Sequence, residues 1–309
     1  MDSLRFKSAR ILVVGDAMLD QYWFGDADRI SPEAPVPVVR ITHQENRLGG
    51  AANVALNIAS VGAKPSLLCV VGEDKAGHEL ETLALQSGIN PLFQFDPELT
   101  TTTKLRIVAR QQQMVRCDFE ALPHQEILTQ HLSLFDKILA EHQILLLSDY
   151  GKGGLSHITH MIEQARAKNI PILVDPKGSD YERYRGATVI TPNRAELQQV
   201  VGCWSSEQDL TDRAQSLRHH LGLKYLLLTR SEEGMTLYSD AGTLTVPTQA
   251  REVYDVSGAG DTVIAVSATM LAIGSDIKEA IQTANRAAGI VVGKLGTASV
   301  SYEELFGND

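Results

Sequence analysis

The sequence predicts an α/β fold with a mostly parallel, helix-covered sheet and a small antiparallel β flap. Three observations carry this expectation. Short apolar runs of strand length alternate with segments of helical period along most of the chain. Two other segments, about 20–47 and 100–120, alternate apolar and polar residues instead. The bulk composition is that of an ordinary globular protein: 309 residues, 43% hydrophobic and 21% charged. A chain of this length can bury a sizeable core without staples. No linker of domain-boundary type interrupts it, so a single domain over 1–309 is expected, with the two flap segments inserted.

"RILVVGD" opens the sheet as a buried strand ending at Gly15-Asp16. The stretch around "APVPVVRITHQ" follows, with Pro32, Pro35 and Pro37, and proline suits edge strands rather than sheet centres. "GGAANVALNIASVGA" reads as a helix opened by Gly49-Gly50, "PSLLCVVG" as a strand and "AGHELETLALQSG" as a helix. "TTTKLRIVARQQQMVRCDFE" returns to the flap, with a hairpin turn expected at Gln111–Gln113. A helix to about Ala140 then leads to strand "QILLLSD", helix "LSHITHMIEQARAKN" and strands "PILVD" and "ATVITP". Helices "NRAELQQVVG" and "DLTDRAQSLRHHL", strand "KYLLLTR" and short strands "GMTLYS" and "GTLTVP" come next. Two helices close the chain, about Gly258–Ile273 and Asp276–Lys294. Strands alternating with helices of this length require right-handed crossovers between parallel neighbours.

A formal charge of −10 disfavours nonspecific binding to nucleic acid or anionic membranes. Cys69, Cys117 and Cys203 are odd in number and widely spaced, which argues against a disulfide framework or a zinc site. The N-terminus lacks a signal-peptide core, and no apolar run is long enough to span a bilayer. A cytoplasmic protein is expected. "GIVVGKL" fails as a P-loop because Leu295 stands where Ser or Thr is required, and His219-His220 lack metal-ligand spacing.

In open α/β sheets, ligands gather beyond the carboxyl ends of the strands. Asp16, Ser148-Asp149, Asp175, Thr191-Pro192-Asn193 and Thr229-Arg230 all fall there. Gly258-Ala259-Gly260-Asp261 precedes "TVIAVSATMLAIG", a helix apolar nearly all round and therefore buried. A buried helix start has orphan N–H groups, glycines let a ligand approach them, and the dipole favours negative charge there. Asp261 in that first turn is either a cap or a base, and Asp255 shares the ambiguity. Asn193 and Glu196 are spaced i, i+3, which suits a capping box as well as a ligand site.

"DVSGAGD" resembles the D-T-x-G-A-G-D signature of the ribokinase-like (PfkB) carbohydrate kinases, with Val256 in place of Thr. "GGAAN", "GDAMLD" and "TPNRAE" resemble that family's other motifs in the same order, and the likeness covers essentially the whole chain. Within the family the chain most resembles the branch acting on D-glycero-β-D-manno-heptose 7-phosphate, through stretches such as "ARQQQMVRCDFE", "SDYGKGGL" and "VDPKG". The resemblance implies a ribokinase-like three-layer αβα sandwich and an ATP- and Mg²⁺-dependent phosphorylation of the anomeric hydroxyl, by a free-standing kinase or the kinase domain of a bifunctional enzyme. A monovalent cation beside the loop is left open.

The resemblance also implies roles. Asp261 is the base, and the N–H groups of Gly258, Ala259 and Gly260 hold the transferring phosphoryl group. Asp16, Asp20, Gly49, Gly50 and Asn53 bind the sugar. Asn193 and Glu196 orient the Mg²⁺–phosphate assembly, Glu196 through water. Thr229 and Gly234 form the nucleotide-side loop, here two residues longer than the family pattern, and Asn285 lines the adenine site. The substrate's own phosphate calls for cations, with Lys104, Arg106, Arg116, Lys152 and Lys177 available and Arg116 and Lys177 favoured. Exposed flap edges favour a homodimer. The rivals are a related kinase for another sugar phosphate or nucleoside, and a sensor that has lost catalysis. The intact Asp261 and glycine loop argue against the sensor.

Overall fold

Thirteen strands separate into two sheets in a computed structural model that describes residues 3–307 except 111, 251, 252 and 295. The strands are β1 (Arg10–Gly15), β2 (Ala17–Ile30), β3 (Pro37–Gly50), β4 (Lys64–Gly72), β5 (Asn90–Asp96), β6 (Thr103–Ala109) and β7 (Gln112–Phe119). They continue as β8 (Ile144–Ser148), β9 (Ile172–Asp175), β10 (Val189–Ile190), β11 (Tyr225–Thr229), β12 (Met235–Ser239) and β13 (Gly242–Val246). The helices are α1 (Ser3–Ser8), α2 (Ala51–Ser60), α3 (Lys75–Gln86), α4 (Gln125–Ile138) and α5 (Ile158–Ala167). After them come α6 (Arg194–Val201), α7 (Glu207–His220), α8 (Ala259–Ala272), α9 (Ile277–Val291) and α10 (Tyr302–Phe306).

Nine strands form the main sheet in the order β13-β12-β11-β10-β9-β8-β1-β4-β5. All neighbours from β11 to β5 pair in parallel, and at the other edge the β11–β12 and β12–β13 pairings are antiparallel. β1 shows why the sheet is covered on both sides. Ile11 and Val13 join a core with α2, α8 and α9, while Leu12 and Val14 join a second core with α4, α5 and α7. All four are completely buried, each contributing about 1.5–3 kcal/mol of burial. This is the expected αβα sandwich. Among the described residues no helix is long and apolar enough to cross a membrane.

The flap is a four-stranded sheet in the order β3-β2-β6-β7. Each of its two hairpins is antiparallel, and they join through a parallel β2–β6 pairing. Pro37 opens β3, an edge strand, as proline requires. The expected turn at Gln111–Gln113 shifts: Gln112 and Gln113 belong to β7, Arg110 turns the chain with φ 51°, and Gln111 lies outside the described residues. "ATVITP" contributes only Val189–Ile190 as strand. The last long helix stops at Val291 rather than Lys294, and Leu295 lies outside the described residues.

Candidate active site

The site lies where the carboxyl ends of the parallel strands, the start of α8 and the flap meet. α8 places Asp261 there because the helix is apolar around its circumference and must be buried, which carries its first turn inward. The carboxylate is 6% exposed and gripped from two sides. Asn53 Nδ2 of α2 donates to Oδ2 at 2.6 Å, and the Tyr150 hydroxyl donates to Oδ1 at 2.6 Å. Burial pushes the Asp261 carboxyl up to about 6, against the lowering pull of those two donors; nearby Asp20 raises it and Lys104 lowers it. A group so tuned can accept a proton near neutral pH.

Asn57 Nδ2 donates to the backbone carbonyl of Asn53 at 2.9 Å and lies 3.4 Å from its side-chain Oδ1, and Thr262 of α8 donates to Asn57 Oδ1 at 3.0 Å. The two helices are thus joined behind Asp261. Gly258 caps α8 in the left-handed region, with φ 79°. A Cβ there would stand 2.9 Å from Asn53 Nδ2, so this glycine is required by backbone and neighbour together. At Gly260 a Cβ would meet no protein atom within 4 Å. Its N–H finds no acceptor among the described residues, whereas the N–H of Ala259 is already given to Val256 O at 3.2 Å. Of the three expected donors, Ala259 is therefore committed to the turn.

A cavity of about 600 Å³ opens in front of this helix start. It gathers Asn193, Glu196, Thr229, Gly234, Asn285, Gly258–Gly260 and Asp261, residues scattered over nearly 100 positions. Val253, Val256, Ala288 and Val292 supply an apolar wall. Asn285 is buried, its Nδ2 holding Pro247 O at 2.7 Å, so it is no surface amide. Gly234 has φ 90° and sits against Val246 O, a backbone requirement in itself. Asn193 and Glu196 do form the capping box of α6. Glu196 Oε2 accepts from Asn193 N–H at 3.0 Å and Oε1 from Lys177 Nζ at 3.1 Å. Lys177 thus stands with Glu196 on the cavity wall and not among the flap cations, because it follows β9 directly and faces the start of α6. Asp175, at the end of β9, is pushed far above the carboxylate range by burial and by Asp261 and Glu196 nearby.

On the other side of Asp261 stand Asp16 and Asp20. Asp16 Oδ2 accepts from the N–H groups of Tyr150 (3.0 Å) and Lys152 (2.9 Å), and Oδ1 from Gly154 N–H (2.9 Å). These contacts only partly offset burial, which raises its pKa. Asp20 accepts from Arg106 Nη1 at 2.6 Å. A Cβ at Gly49 would press on Asp20 Oδ2 at 2.5 Å, and Gly50 has φ 56°. These glycines answer a packing need around the carboxylates.

Strand register puts Asp20 opposite Lys104 and Arg47, and Tyr22 opposite Arg106, so one flap face carries these groups together. The guanidinium groups of Arg47 and Arg106 lie over the Tyr22 ring, 4.7 and 5.0 Å from its centroid. Arg116 pairs across with Arg106 on the same face, but its guanidinium is taken by Asp118 at 2.8 Å. Asp255 accepts from Ser257 N–H (2.9 Å) and Gly296 N–H (3.0 Å), which ties two loops together. Burial opposes its ionisation, yet those donors hold its carboxyl below the usual range.

Tyr150 and Arg47 are the participants that the sequence did not disclose, and Arg106 was one cation among five. Tyr150 did carry a signal, since it follows a strand's carboxyl end directly. Arg47 carried none, and nothing set Arg106 apart from the other candidate cations, because cross-strand neighbours are set by a register that local pattern does not specify.

A family model described as pfkB family carbohydrate kinase matches residues 8–304. The D-beta-D-heptose 7-phosphate kinase of Bordetella bronchiseptica is 54% identical over 303 residues, covering 98% of this chain and 97% of that protein. The bifunctional protein HldE of Shewanella sediminis is 51% identical over 97% of this chain, which spans 63% of that protein's length. Two solved structures share the fold: Escherichia coli phosphofructokinase-2 in complex with potassium (TM-score 0.81, 19% identical, 96% of each chain covered) and Arabidopsis thaliana ribokinase with ribose and ATP (TM-score 0.77, 20% identical, 96% of this chain and 97% of that one).

Proposed function

The chain belongs to the pfkB family of carbohydrate kinases, and from that membership we propose that it transfers the γ-phosphoryl group of ATP to the anomeric hydroxyl of D-glycero-β-D-manno-heptose 7-phosphate. The product is the 1,7-bisphosphate, a precursor on the route to ADP-heptose and the lipopolysaccharide inner core. The observation that carries the chemistry is the position of Asp261, a buried carboxylate between a helix start open to a phosphate and a flap face rich in carboxylate and guanidinium groups.

The nucleotide occupies the cavity, its base against Val253, Val256, Ala288 and Val292 and its phosphates over Gly258 and Gly260. Asp261 takes the proton of the C1 hydroxyl as that oxygen bonds to the γ-phosphorus, the bond to the β–γ bridging oxygen breaks, and ADP leaves. Mg²⁺ bound with the nucleotide neutralises phosphate charge. Glu196 suits a water-mediated contact with it, because both carboxylate oxygens already have a protein donor. Lys177 is within reach of the same phosphates. As the base must be ionised, kcat/KM is expected to fall about tenfold per pH unit below about pH 6, following the raised Asp261 carboxyl. A pH–rate profile measures this directly.

The sugar's distal phosphate is held by the flap cations, with Arg106 and Lys104 foremost, and Asp20 released by Arg106 accepts a sugar hydroxyl. Arg106→Gln is expected to raise KM for the phosphorylated sugar by about 10–100-fold and leave KM for ATP unchanged, the loss typical of a hydrogen bond to a charged group. Turnover of the non-phosphorylated heptose should hardly change. The flap exposes Val36, Met114, Val115 and Phe119, which supports pairing with a second copy through it in a cytoplasmic homodimer. The direct test of the function is ADP release with heptose 7-phosphate, with the product's new anomeric phosphate identified by ³¹P NMR. Absence of turnover with this sugar, together with brisk turnover of fructose 6-phosphate or a nucleoside, would overturn the substrate assignment.

A further inference from the structure

We propose that Tyr150 is the positioning residue of this site, joining the Asp16 carboxylate to Asp261 and aiming the latter's free lone pairs at the incoming hydroxyl. The inference rests on Asp261 being the base. Among the described residues Tyr150 alone hydrogen-bonds to both carboxylates: its backbone N–H donates to Asp16 Oδ2 at 3.0 Å and its hydroxyl to Asp261 Oδ1 at 2.6 Å. The loop that carries it is built around Asp16. Gly151 and Gly153 adopt φ of 70° and 92°, and a Cβ at Gly154 would stand 2.8 Å from Asp16 Oδ1. The loop therefore follows Asp16, and the hydroxyl of Tyr150 is delivered by a wrapped backbone rather than by a free rotamer.

A carboxylate offers about four lone-pair directions. Tyr150 takes one on Oδ1 and Asn53 one on Oδ2, so the remaining directions have a fixed aim. The tyrosine acts as a donor throughout, since burial and the neighbouring Asp261 and Asp175 push its own ionisation far above the ordinary value. The other groups facing Asp261 are Asp20 and Lys104 from the flap, Asp175 from the end of β9 and the neutral Asn53 from α2. A change confined to the Tyr150 hydroxyl leaves all of them in place.

The signs follow. The hydroxyl stabilises the ionised base, so its removal raises the pH at which the base is lost, and a stronger donor lowers it. Tyr150→Phe should move the acidic limb of kcat/KM up by about one pH unit, with activity recovering toward wild type at alkaline pH. Fluorotyrosine incorporated at position 150, a stronger donor of nearly the same shape, should move the limb the opposite way. Opposite shifts of the two variants support the proposal. Profiles that superimpose on wild type, or a loss equal at every pH, overturn it, and the fluorotyrosine protein decides the matter where Tyr150→Phe does not fold. If the acidic limb persists in Asp261→Asn, the base assignment itself fails and the proposal with it. If that limb vanishes while the Tyr150 variants match wild type, only the role of Tyr150 fails.

Discussion

Asp261→Asn is expected to lower kcat by about 10²–10⁴-fold, the usual contribution of a positioned general base. The substitution keeps the size of the side chain and removes the charge that burial opposes, so the thermal midpoint should not fall. Sugar binding should survive, because Asp16 and Asp20 are held by Tyr150, Lys152, Gly154 and Arg106 and not by Asp261. The measurements are ADP release, a melting curve and a sugar-binding isotherm on the same preparation. Equal rates for mutant and wild type would remove Asp261 from the base role, and collapse of the fold would reassign it to capping.

Gly260→Leu is expected to lower kcat/KM for ATP by about 10²-fold or more, the scale of losing donors to the transferring group. A Cβ at this position meets no protein atom within 4 Å and the backbone is helical, so the added side chain extends into the cavity proposed to hold the phosphates. Stability should hold or rise, since Gly costs a helix up to about 1 kcal/mol relative to a good helix former. The pairing of lost activity with a retained melting point is the diagnostic. A loss of both would make the glycine structural. Gly258 cannot serve this test, because φ 79° and Asn53 would confound it.

Buried strands were legible because they carry water-excluding residues on both faces and read as unbroken apolar runs, as in "ILVV" and "ILLLS". β5 escaped. "NPLFQFD" is a half-buried edge strand that opens beside Pro91, so neither a run nor a clean alternation marks it. α1 escaped too, being six residues with one buried side chain, too short to show a period. The flap segments announced themselves by alternation, but not the parallel pairing of β2 with β6, which lie more than 70 residues apart and leave no local trace of each other.

The site divides the same way. The sequence by itself determined its chemical inventory: a glycine helix start with Asp261, carboxylates Asp16 and Asp20, the Asn193–Glu196 box and the family to which these motifs belong. Backbone conformation and helix periodicity are local, and motifs record them. Only the tertiary structure decided which residues meet: Tyr150 and Asn53 on Asp261, Arg106 on Asp20, Lys177 on Glu196 rather than beside the flap. Those contacts are made across strand register and helix packing, where distance in sequence carries no information about distance in space, and they set the burial and the donors that tune the Asp261 carboxyl.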